Sequence, residues 1–146
     1  MTAALTHYAD RGVFRGFRAS PEARGRVAYE FFWLTRRPMR ASLDRRGMLT
    51  FPALLPQATR AIVNEMKSMV AARSTRAVPD HKRIDARRAR LACIVRKGDF
   101  LLSVEIRGRN QHYAVSKTLN LVNEMFVALH DGHPDYLVQH FGISQE

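Results

Sequence analysis

The side chains with the most chemistry to offer are arginines. Twenty of the 24 basic residues are Arg, set against 13 acidic residues, for a net charge of +11. A guanidinium forks onto phosphate or carboxylate through two parallel hydrogen bonds, where an ammonium offers a point charge. The excess is lopsided. Residues 1–50 hold ten basic and four acidic groups, residues 51–100 hold eleven and four, and residues 101–146 hold three and five. The densest stretch, Arg73 to Lys97, has nine basic and two acidic residues in 25 positions. Such a patch is the electrostatic footprint of a polyanion-binding protein.

His130, His133 and His140, with Asp131 and Asp135, form the one cluster of metal-ligand types. Their reading is electrostatic: His130 falls in a helix's last turn, where a cation suits the dipole, and His133 opens the next helix. No metal site is assigned to them. The single cysteine, Cys93, cannot form an internal disulfide and reads as a small buried hydrophobe. No phosphate-binding glycine loop, nucleophile elbow, His-Glu-x-x-His or cysteine pair is present, so neither catalysis nor a cofactor is expected.

Composition narrows the class further. With 146 residues, 46% hydrophobic and 25% charged, the chain matches one globular domain rather than a disordered or collagenous one. No apolar run approaches the ~20 residues of a membrane-spanning helix. Residues 1–20 lack the apolar stretch of a secretory signal, and a cytoplasmic location is the expectation.

The elements that must position these groups follow from local patterns. Residues 1–19 show no stable period and read as a mobile or loosely docked arm, leaving 20–146 as a single α+β domain. Ser20 as N-cap, Pro21 in the first turn and Glu22 beside it open a helix with Val27, Ala28, Phe31, Phe32 and Leu34 as its stripe, ending near Arg37 before Pro38. Tyr29, Phe31, Phe32 and Trp33 are read as core. A hairpin from Met39 to Phe51 turns at Arg45-Arg46-Gly47, with Leu43 opposite Leu49 on an apolar face. A second helix follows Pro56, with Ala58, Ile62, Met66, Met69 and Val70 on one side. Ser116 caps a third helix ending at Gly132, and a short last helix runs from Pro134 to Gly142.

Between these helices lies the hairpin that organises the arginines. A type II′ turn at Gly98-Asp99 pairs Cys93 with Val104 and Leu91 with Ile106, and sets Arg90 opposite Arg107 on the outer face. A third strand, Gln111 to Val115, places His112 beside Arg107. Arg88, Arg90, Arg107, Arg109 and His112 are therefore the candidate anion-binding residues. Ile94 and Leu101, apolar on that same outer face, are the candidate interface residues of a homodimer.

Residues 56–131 thus run helix–strand–strand–strand–helix. Through Gly98-Asp-Phe-Leu-Leu-Ser-Val-Glu-Ile106, Ser116-Lys-Thr and Ala128-Leu129, this stretch looks similar to the second half of a double-stranded-RNA-binding domain. It departs from that family at Lys117, which stands alone where several lysines are usual. It departs again at Val122, Met125 and Phe126, where alanines are usual, and in a first strand–strand turn too short to reach a minor groove. The resemblance is one of topology, which does not carry function.

The sequence therefore predicts an antiparallel sheet of about five strands, two hairpins plus one strand, with helices on one face, in the order α-β-β-α-β-β-β-α-α. The expected function is non-catalytic binding of an anionic partner, nucleic acid or an acidic protein, through a basic sheet face. The alternative is a homodimerising or protein-binding module.

Overall fold

The computed structural model describes residues 1–33 and 37–142. The order is α1 (Thr2–Asp10), β1 (Arg15–Pro21), a 3₁₀ turn (Ala23–Gly25), β2 (Val27–Phe32), β3 (Met39–Leu43), β4 (Met48–Leu55), α2 (Arg60–Ala72), β5 (Ala89–Arg96), β6 (Asp99–Ile106), α3 (Gln111–Gly132) and α4 (Pro134–Phe141). The fold is α+β, as the sequence predicts, but the antiparallel sheet has six strands, ordered β1-β2-β3-β4-β6-β5.

Two readings are corrected at the N-terminal end. The helix expected from Ser20 is instead the end of β1 and all of β2. Tyr29, Phe31 and Trp33 are buried while Ala28, Glu30 and Phe32 between them are more exposed, a period of two. The bulky aromatics pack better on a pleated surface than against a preceding helical turn. Leu34, assigned to the same helix, lies outside the described residues. The segment 1–19, read as an arm, forms α1 and most of β1, and Ala4, Leu5 and Phe14 enter the core. Phe14 stacks on Phe31 with centroids 4.1 Å apart, and Thr2 shares a 2.8 Å hydrogen bond with the Tyr29 hydroxyl.

The β3–β4 hairpin has the expected register, with Leu43 opposite Leu49 and Ser42 opposite Thr50. Gly47 takes φ +87°, and a Cβ there would lie 2.9 Å from the Ile106 carbonyl oxygen. Only glycine satisfies both the left-handed turn and this contact, through which Ile106 N–H donates to the Gly47 carbonyl at 2.9 Å.

The β5–β6 hairpin is shifted. Its turn is Lys97-Gly98, with φ +52° and +86°, the two left-handed residues that a type I′ turn requires. Gln57 holds it: its side chain donates to the Lys97 carbonyl at 3.1 Å, and its backbone N–H donates to the Asp99 carboxylate at 2.9 Å. Moving the turn by one residue changes every partner by two positions, so each side chain keeps its face but loses its expected neighbour. Cys93 faces Leu102, Leu91 faces Val104 and Arg90 faces Glu105.

The strand expected at Gln111–Val115 is the opening of α3, which starts before Ser116. Ala114, Val115, Thr118, Leu119 and Val122 are all buried, a helical stripe that continues to Leu129. Without that strand the resemblance to a double-stranded-RNA-binding domain loses one of its three strands. The helices α2 and α4 lie close to where the sequence places them, although α2 starts at Arg60 after its Thr59 N-cap and leaves Ala58 outside it, and Tyr136, Leu137 and Phe141 of α4 are docked in the core. Tyr136 donates from its hydroxyl to the Pro56 carbonyl at 2.6 Å, and burial pushes that phenol's pKa upward.

Candidate anion-binding corner

At one end of the sheet the chain enters β5 through Arg87 and Arg88 and leaves β6 through Arg107, Gly108 and Arg109 into α3. Arg107 N–H donates to the Arg88 carbonyl at 3.0 Å, so these two residues are backbone neighbours. The Arg88 guanidinium lies 3.6 Å from the Tyr113 ring centroid, a stacked cation–π contact, and its Nε donates to Asn110 Oδ1 at 3.0 Å. Asn110 in turn donates to the Arg107 carbonyl at 2.5 Å. His112 sits on the first turn of α3 with its ring 6.4 Å from that of His7. Lys117 Nζ lies 5.7 Å from the same Tyr113 ring centroid and donates to the His81 carbonyl.

Four of the five expected residues, Arg88, Arg107, Arg109 and His112, therefore gather here, though not as a cross-strand row. Arg90 leaves the group, because the shifted turn puts it opposite Glu105. His112 belongs to a helix rather than to a strand. Tyr113, Lys117 and Asn110 are not among the anion-binding residues expected from sequence; only their position at the N-cap and in the first two turns of α3 could have marked them.

The corner is poor in negative charge. The first turn of α3 contains no acidic residue, and Asn110 at its N-cap makes no side-chain cap bond. Glu105 lies 3.7 Å from Arg107 Nε. Asp85 is taken by Arg87, whose hydrogen bonds hold that carboxyl below the usual aspartate range. Positive side chains beside a helix N-terminus are electrostatically unfavourable, by about 0.3–1 kcal/mol for each exposed group.

The other chemistry-bearing residues disperse. His130 approaches Asp131 at 3.6 Å, His133 bonds Glu65 at 2.9 Å, and the His140 ring lies 4.6 Å from that of Tyr136. Among the described residues no three His, Cys, Asp or Glu side chains stand together as metal ligands. A hollow of about 690 Å³ opens between the starts of α2 and α4, with Gln57, Thr59, His133 and His140 on its wall. A second, of about 420 Å³, lies on the outer sheet face, where Glu30 bridges Arg40 (3.0 Å) and Arg18 (2.6 Å). Those two bonds, Arg40 foremost, lower the Glu30 pKa. Reading 20–37 as a helix hid this trio, which needs three adjacent strands.

Of the two interface residues, Ile94 is 47% exposed, but Leu101 opposite it is buried at 8%. Leu101 lies against a bulge in β4, where Pro52 to Leu54 intervene between the residues paired with Leu102 and Phe100. Cys93 is half-buried, and burial raises its thiol pKa. No family model matches the chain, and no curated protein or solved structure matches it either.

Proposed function

We propose that the protein is a non-catalytic binding domain that holds a polyanion, foremost a nucleic-acid backbone, at the corner made by Arg88, Arg107, Arg109 and His112. The observation that carries this reading is the convergence of these residues on the acid-free first turn of a 22-residue helix. An anion there relieves the repulsion between the side chains and the helix dipole together, whereas solvent only screens it. Arg88, braced by Tyr113 and Asn110, loses little side-chain freedom on binding. These groups hold phosphates and read no bases, because no helix or strand carries them into a groove.

Fluorescence anisotropy with short single- and double-stranded RNA and DNA tests the reading. Wild type should bind all four at low salt with little sequence preference. Changing Arg88, Arg107 and Arg109 together to Gln should weaken every complex alike, by about tenfold or more. Absence of binding at low salt, or a triple variant that binds as tightly as wild type, would remove this function.

A further inference from the structure

The two edges of the sheet differ in kind. β1 is spoiled as a template: its register with β2 is irregular between Arg15 and Arg18, and it ends in Pro21. β5 has none of these protections. All eight residues from Ala89 to Arg96 pair with β6 in one unbroken register, without proline, glycine or bulge. The bond from Arg107 N–H to the Arg88 carbonyl sets the polarity of the ladder. Even-numbered residues of β5 bond to β6, so Leu91, Cys93 and Val95 turn their N–H and C=O groups to the open side. Among the described residues no strand lies there.

That edge is apolar on both faces. Ile94 is 47% exposed on the outer face and Val95 42% exposed on the inner one. A body stacked on either face covers one of them; a strand continuing the sheet covers both. Arg90 and Arg96 flank Ile94 on the outer face, six residues apart, and neither forms an ion pair among the described residues.

Charge decides what the added strand is. A second copy paired about Cys93 would set Arg90 against the partner's Arg96 twice, and one paired about Ala92 would set Arg88 against it twice. Pairing about Ile94 avoids this but shortens the ladder, and each copy carries +11. Like charges directly opposite destabilise a sheet. A strand with carboxylates at those positions does the reverse.

We propose that β5 recruits an extended acidic segment of a partner protein by strand addition. The apolar centre of that segment covers Ile94 and Val95, and two carboxylates six residues apart meet Arg90 and Arg96. The site is separate from the corner at α3 and stands without it.

The probe is a fluorescent peptide, Gly-Ser-Glu-Val-Ile-Val-Thr-Val-Glu-Ser-Gly, titrated with the full chain. It should bind, and N-methylating alternate peptide nitrogens on its pairing side should weaken it by about tenfold or more, because strand addition needs those donors. Exchanging both Glu for Lys should abolish binding to wild type and restore it to the Arg90→Glu, Arg96→Glu variant. The Arg88, Arg107, Arg109 to Gln variant should bind the peptide as wild type does, which separates this site from the polyanion corner. Equal binding of the N-methylated or lysine peptide, or no binding at millimolar concentration, overturns the proposal. So does a wild-type dimer in light scattering that the Val95→Lys variant dissolves, since a second copy would then own the edge.

Discussion

Arg73 is the one buried charged residue among the described residues. Its side chain is 2% exposed, and among the described residues its side-chain hydrogen-bond partner is Glu124, at 2.6 Å, while Nε and Nη2 have none there. Glu124 also takes Lys82 at 2.5 Å, so one carboxylate on α3 fastens both the end of α2 and the loop that follows it. Removing Glu124 strands a buried guanidinium, and Glu124→Ala should cost about 3–5 kcal/mol in chemical denaturation. The Lys82→Ala change, which loses only a half-exposed partner, should cost about 1 kcal/mol or less. The Lys82 bond, then Arg73, holds the Glu124 pKa below its ordinary 4.5. A lowered carboxylate pKa means stability that is present above the unfolded value and lost as pH falls through the folded one. Wild type should therefore lose more stability than Glu124→Gln on acidification below about 4.5, as denaturation at a series of pH values would record. A variant that tracks wild type through that window would deny the clasp its role.

Two turns decide the registers of the hairpins. Gly47→Ala should destabilise by about 1–3 kcal/mol, since it adds left-handed strain and a clash with the Ile106 carbonyl. Lys97→Asn should stabilise by about 0.4–1 kcal/mol, because Asn beside Gly98 adopts a type I′ turn at lower cost. A lowered melting temperature for the Lys97 variant would contradict that turn assignment. These turns also show what the sequence made legible. The β3–β4 register was readable because Gly47 and the alternation from Met39 to Phe51 agree on it. The faces of β5 and β6 were readable for the same reason, but their partners were not. Gly98 fits the first place of a II′ turn as well as the second of a I′ turn, and the decision comes from Gln57, some forty residues away. At Tyr29 to Trp33 the apolar residues satisfy both periods, and pairing with β1 and β3 selects the strand. Gln111 to Val115 failed similarly, since five residues cannot separate an alternating strand from the first turn of a long helix. The basic corner was therefore legible as composition and as four of the five residues expected for it, while its shape depended on α3.

At the scale of the whole molecule, the corner is a place where charge is arranged against stability. Arg88, Arg107 and Arg109 meet the start of α3, where a capping carboxylate would be the stabilising choice. Gln111→Glu should accordingly raise stability by about 0.3–1 kcal/mol and weaken polyanion binding together, an exchange that a solvated surface would not show. Thermal melts and anisotropy on the same preparation measure both. The central claim, that this corner neutralises phosphates, is tested most directly by the salt dependence of binding to one RNA oligonucleotide. The logarithm of the association constant should fall linearly with the logarithm of salt concentration, because each neutralised phosphate releases counterions. The Arg88, Arg107, Arg109 to Gln variant should flatten that slope by about two to three units. Parallel lines for wild type and variant would place the phosphate contacts elsewhere and contradict the account.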